Sequence, residues 1–156
     1  MRSVNPTVSA LLICFVAAAL EGALAGSGVR QRLASLRMPR YSPSFSSWII
    51  IGIVYYIICF IVLRHLLAST YKVALVLLLL VLFINALWNI AFFRWRDLRT
   101  SFIALIPYAL LVVALVLLLS RTYPFGAALF MCYCAYLLYA TWWGYRLWLL
   151  NKSKET

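Results

Sequence analysis

The residues of this 156-residue chain that could do chemistry lie mostly inside apolar runs. Glu21 is a lone carboxylate in one such run, and an acid in apolar surroundings reads first as functional. Gly22, Gly26 and Gly28 beside it leave an equal reading, a hydrogen bond or ion pair near a surface, with Arg37 and Arg40 as partners. Asn85 and Asn89 carry amides that are costly to desolvate without a hydrogen-bond partner. With Trp88 and Phe92 they stand at i, i+4, i+3 and i+7, so all four share one helix face. Tyr136, Tyr139 and Trp143 form a second stripe at i, i+3 and i+7, which Tyr133 extends. Such faces either glue helices together through amides or meet around a flat, largely apolar ligand, stacking it on rings and orienting it with a few polar groups.

Enzyme signatures are thin. The single histidine, His65, stands beside Arg64 with no Ser-His-Asp, paired-carboxylate or metal-ligand arrangement around it, so no catalytic or metal-binding residue is assigned. Cys14, Cys59, Cys132 and Cys134 all fall in apolar runs; the last two form C-x-C rather than a redox C-x-x-C, and all four read as small core residues.

The elements that must position these groups are membrane spans. Two thirds of the residues are apolar and 11% are charged, a composition that places the chain in a bilayer. Five runs reach the roughly 20 residues a span needs: 8–25, 47–67, 73–93, 101–119 and 125–150. The expected fold is an all-α membrane protein, a five-transmembrane-helix bundle, with residues 1–156 as a single domain. The first run has features of a cleaved signal, with Arg2 in front and a small-residue stretch at Ala23 to Gly26, but its length and Glu21 favour a retained helix. Residues 26–46, with two prolines and five serines, form the long connection, with a helical turn around Arg30 to Leu36. Pro107 suggests a kink in the fourth span.

The excess of 14 Lys and Arg over 3 acids is scattered between apolar runs, which speaks for membrane topology and against nucleic acid. Ten of the basic residues fall on the side of the long connection and four on the other. The positive-inside rule therefore puts the first loop and the C-terminus in the cytoplasm and the N-terminus outside. Trp95 and Trp148 read as interface anchors on the cytoplasmic side, and Trp48 lies near the same level.

With these residues in hand, the chain resembles the translocator protein / tryptophan-rich sensory protein (TspO/MBR, peripheral benzodiazepine receptor) family. Ile84-Asn85-Ala86-Leu87-Trp88-Asn89-Ile90-Ala91-Phe92-Phe93 is similar to that family's third-helix pattern A-L-N-x-x-W-S/N-x-x-F-F. Met38-Pro39-Arg40-Tyr41-Ser42-Pro43-Ser44 aligns with its first-loop K-P-S-W-T-P-P, after which Tyr56 falls on the second-helix tyrosine. Ala135-Tyr136-Leu137-Leu138-Tyr139 and Trp148-Leu149-Leu150-Asn151 are similar to its fifth-helix P-Y-L-x-W and W-R-L-N.

The resemblance implies a five-helix bundle, often a homodimer, whose pocket beneath the first loop accepts porphyrins, haem and benzodiazepine-type drugs. Carried over by position, Tyr41, Pro43, Tyr56, Asn85, Trp88, Asn89, Tyr139 and Trp143 would line it, and Tyr136 joins them from the fifth-span stripe. Porphyrin or haem is then the expected ligand, with no obligatory cofactor, and the expected role is a sensor, carrier or scavenger. The second-helix tryptophan linked in some bacterial members to light-dependent porphyrin breakdown aligns with Gly52, which has no indole to oxidise. Photochemical turnover is therefore expected to be weak or absent, unless Trp48 one turn earlier takes over. The region of the animal sterol pattern is altered, so sterol binding is not implied. An alternative function from a different class is a membrane scaffold or subunit whose polar faces bind another membrane protein. A membrane enzyme using Glu21 or His65 is a third.

Overall fold

The structure, a computed structural model, describes residues 5–152. Arg2 and Lys154, both counted in the charge balance, lie outside the described residues. Among these the chain forms six helices: α1 Pro6–Ala25, α2 Val29–Ser35, α3 Phe45–Leu67, α4 Lys72–Asn89, α5 Leu98–Thr122 and α6 Pro124–Asn151. α4 runs on into a single π-helical turn, Ile90–Arg94. All but α2 are long and apolar enough to cross a membrane. Segregation of apolar from polar faces is slight in these helices because lipid and helix neighbours are both apolar, so nearly every side of a span accepts Leu, Ile or Val.

Local chemistry fixes where each helix begins and ends. Asn5 caps α1, its side-chain oxygen accepting from the Thr7 amide at 2.9 Å, and Pro6 supplies a preset first residue. α1 stops at Gly26, whose φ of 75° lies where side chains are disfavoured. Ser44 and Asp97 cap α3 and α5 in the same way as Asn5, through the amides of Ser47 and Thr100. Pro124 opens α6. Pro107 lies inside α5, which stays helical from Leu98 to Thr122.

One end of the bundle is solid. Val62, Leu63, Leu78, Val112, Leu115 and Phe130 have no exposed surface, and they come from the halves of α3 to α6 nearest the short connections at 68–71 and Tyr123. Gly126 permits this closeness, since a Cβ there would run into the ring of Tyr123, which itself stacks on His65 with centroids 3.7 Å apart. At the other end stand α2, the segment leading to α3, and the π-helical turn, with a smaller core of Phe92, Leu98, Trp143 and Leu147 beneath them. α1 is the peripheral helix: Leu11, Leu12, Phe15 and Val16 are all more than half exposed, as suits a lipid-facing surface.

The cysteines divide, which corrects their reading as core residues. Cys14 and Cys59 are buried, Cys134 is half-buried and Cys132 is exposed, because residues 132 and 134 are turned about 100° to either side of the inward Tyr133 on α6.

Candidate ligand-binding site

Between the solid end and the loop the helices part around a cavity of about 470 Å³, within the usual range of small-molecule sites. α3 contributes Trp48, Gly52 and Tyr55; α4 and its π-helical turn contribute Asn85, Trp88, Asn89 and Phe92; α5 contributes Tyr108. α6 adds Tyr133, Tyr136 and Trp143, α1 adds Glu21, and Val29, Leu33 and Phe45 close the loop side.

A chain of rings forms much of the wall. Trp88 stacks on Phe92 at 4.8 Å, and Phe92 lies 6.1 Å from Trp143 with the two planes inclined by 29°. Trp143 meets Trp48 edge-on at 5.1 Å, and Trp48 meets Tyr136 at 6.4 Å. The polar tips of Trp88 and Trp143 are satisfied by protein, so neither indole N–H needs the ligand as its partner. Trp88 Nε1 donates to the Ser101 carbonyl at 2.9 Å and Trp143 Nε1 to Ser42 Oγ at 2.8 Å. Tyr108 and Tyr133 share a hydroxyl–hydroxyl bond of 2.9 Å, and the ring of Tyr55 lies 4.9 Å from that of Tyr133.

The π-helical turn re-aims this wall. Widening the helix after Asn89 rotates the residues that follow relative to an α-helical path, a feature frequent at functional sites. Phe92 is thereby buried against Trp88 and Trp143, while Arg94 reaches back to α1. Its Nη2 donates to the Ala23 carbonyl at 2.9 Å and its Nε to that of Leu24 at 3.0 Å, so the cation sits at the negative end of α1. Trp95 and Arg96 turn the chain, with Arg96 at φ 58°, and its carbonyl accepts from Arg32 at 2.8 Å.

Asn85, Trp88, Asn89, Tyr136 and Trp143 all line the cavity, so the third-span face and the fifth-span stripe come together. Tyr41, Pro43, Tyr56 and Tyr139 do not. Tyr41 is 66% exposed, and its carbonyl accepts from the Tyr139 hydroxyl at 2.7 Å. Pro43 lies in the same tethered segment, half-buried. Tyr56 points to α1, where its hydroxyl donates to Glu21 Oε2 at 2.7 Å.

Glu21 itself was open in sequence between a functional and an interfacial role. It lines the cavity, its other oxygen accepts from Asn89 Nδ2 at 3.4 Å, and neither Arg37 nor Arg40 is its partner. Spacing within single spans could not reveal Trp48, Tyr55, Tyr108 and Glu21 as neighbours, because three different helices supply them. The one available signal was a polar or aromatic group midway along an apolar run.

Fold and cavity together define a class: an integral membrane bundle of five spanning helices that encloses a small-molecule site under its first loop. The chain matches the TspO/MBR family over residues 10–149, nearly its whole length, and it belongs to that family. A membrane ligand-binding or sensor role goes with that membership. No curated protein gives a significant match to the chain.

Proposed function

We propose that the protein holds a flat, largely apolar ligand of the porphyrin or haem kind in this cavity and acts as its sensor, carrier or scavenger. The observation that carries the reading is the continuous ring wall from Trp88 through Phe92, Trp143 and Trp48 to Tyr136, which offers stacking over an extended planar molecule. The rim supports it. Arg30 stands over the ring of the lining residue Phe45, 5.8 Å from its centroid, where a cation can meet the carboxylates at a porphyrin's edge. Ligand enters as a reversible guest, and no obligatory cofactor is needed to complete the site. The charge bias along the sequence supports placing the loop and this rim on the cytoplasmic side, and family resemblance supports a homodimer.

Titration of the detergent-solubilised protein with protoporphyrin IX tests the reading. Tryptophan fluorescence should be quenched to saturation at stoichiometric ligand. Trp88→Ala removes a ring from the wall and should weaken binding about tenfold, the worth of one base-sized stacking contact. Saturable quenching absent in the parent, or an affinity unchanged in both Trp88→Ala and Asn85→Ala, rules the cavity out as the porphyrin site.

A further inference from the structure

The cavity carries the opposite sign of charge from the chain around it. Fourteen Lys and Arg stand against three acids in the sequence, yet among the described residues no basic side chain lines the cavity and one of the acids does. That acid, Glu21, occupies a place unfavourable to a carboxylate. It lies one turn before the C-terminus of α1, where the helix presents its negative end, and it faces walls that are mainly hydrocarbon and ring.

What surrounds the carboxylate orients it without neutralising it. Tyr56 donates to Oε2 at 2.7 Å and Asn89 to Oε1 at 3.4 Å, and both donors are uncharged. Arg94, the cation that reaches this end of α1, is engaged with the carbonyls of Ala23 and Leu24. Among the described residues no Lys, Arg or His forms an ion pair with Glu21. A carboxylate has about four acceptor positions, so two protein donors leave capacity for another. A partly buried acid that is held in place, open to a cavity and unmatched by a protein cation is suited to a donor that arrives with the ligand.

We propose that Glu21 is a ligand-anchoring residue that makes the cavity prefer flat apolar molecules bearing a cationic N–H donor, such as a protonated aromatic amine. Glu21 accepts that donor while the ring system stacks on the tryptophan wall, and Tyr56 acts as a positioning residue by fixing the carboxylate. The assignment rests on the cavity being a ligand site. It separates from the porphyrin reading because protoporphyrin IX encloses its N–H groups within the macrocycle and carries carboxylates of the same sign as Glu21. Removing the like charge should therefore raise porphyrin affinity in Glu21→Gln.

Three acridines with one ring system and different charge supply the test: 9-aminoacridine, acridine and acridine-9-carboxylate, titrated at neutral pH against the full chain in an uncharged detergent. The parent protein should bind 9-aminoacridine about tenfold or more tighter than the other two, the expected worth of one charge-assisted hydrogen bond. Glu21→Gln should abolish that preference by bringing 9-aminoacridine down to the affinity of acridine in the same variant, and Tyr56→Phe should reduce it. Equal affinities for the three acridines in the parent would overturn the assignment with no variant needed, as would a preference that survives Glu21→Gln. If no acridine binds while protoporphyrin IX saturates, the Glu21 assignment falls and the porphyrin reading stands. If protoporphyrin IX also fails to bind, both fall.

Discussion

At the scale of single residues, Gly52 carries the sharpest contrast between a loss and an opportunity. It lies within α3 on the cavity wall, and a Cβ placed there would meet nothing within 4 Å. A helical glycine with open space gives up conformational entropy without gaining contact, so Gly52→Ala should raise stability by about 0.5–1 kcal/mol. A shift of the thermal midpoint in detergent reads this directly, and a lower midpoint would mean that the space is occupied. The indole nearest to Gly52 along α3 is Trp48, which lines the same cavity and packs on Trp143 and Tyr136. Illumination of bound porphyrin therefore tests whether the indole at position 48 supports photochemical turnover in a cavity whose wall carries glycine at position 52. With Trp48 held edge-on by Trp143 instead of free to move, little change in the porphyrin spectrum is expected. At this scale the sequence was informative wherever one helix supplied the pattern: Asn85, Trp88 and Asn89 share a face by spacing alone, and they share the cavity wall. It was silent where two chain segments meet. Nothing in the spacing of α1 and α3 pairs Glu21 with a tyrosine 35 residues away.

At the scale of elements, α6 acts as the post to which the first loop is tied. Tyr139, Trp143, Leu147 and Asn151 recur every four residues and so form one line down the helix. Three of them hold the loop by hydrogen bonds: Tyr139 to the Tyr41 carbonyl, Trp143 to Ser42 Oγ, and Asn151 to both backbone groups of Arg37. Asn151 is 1% exposed, accepts from the Arg37 amide at 2.9 Å and donates to its carbonyl at 3.0 Å, replacing the strand partner that a lone loop lacks. The stripe reading placed Tyr139 against ligand for a physical reason that holds only in part. A period of 3.6 identifies a buried face, but it cannot say whether ligand or a loop covers it. Asn151→Ala should therefore cost about 2–4 kcal/mol by stranding two backbone groups, and should speed proteolysis within 36–44 before it affects the spans. A loop as resistant to cleavage as the parent's would contradict the tether. Asp97 offers a second handle on the same end, outside the spans. Hydrogen bonds from the Thr100 side chain and amide hold its carboxyl below the usual carboxylate range. A depressed acid stabilises above its unfolded pKa and loses that contribution as pH falls through its folded value. The cap on α5 should thus weaken only in strong acid, and Asp97→Asn should remove that acid sensitivity while keeping a capping oxygen.

Across the whole molecule, the same five spans build two ends with opposite requirements, and this division explains how a membrane protein can be both stable and hollow. With lipid outside as apolar as the helices, association depends on close packing, so stability must come from the end where side chains interlock. Leu115 is fully buried there among residues such as Val62, Leu78 and Val112. The other end gives up that packing to keep its cavity, and holds its shape instead through polar ties: Arg94 on α1, Asn151 on the loop, Trp88 on Ser101. The number of spans and the membrane class were legible from apolar run length, since backbone groups in lipid leave a helix as the only open choice for such segments. The position of the cavity was not, because it depends on which halves of the helices converge. A paired substitution separates the two ends. Leu115→Ala opens a void in interlocked packing and should lower stability by about 2–5 kcal/mol, with porphyrin affinity of the folded protein unchanged. Ile51 of α3 also lines the cavity, and Ile51→Ala enlarges a space that already exists, so it should cost less than about 1.5 kcal/mol while altering porphyrin affinity. Thermal midpoints and quenching titrations on both variants give the four readings. Equal losses of stability would mean that the loop end is packed as tightly as its opposite, and an affinity change in Leu115→Ala would mean that the ligand is bound at the solid end.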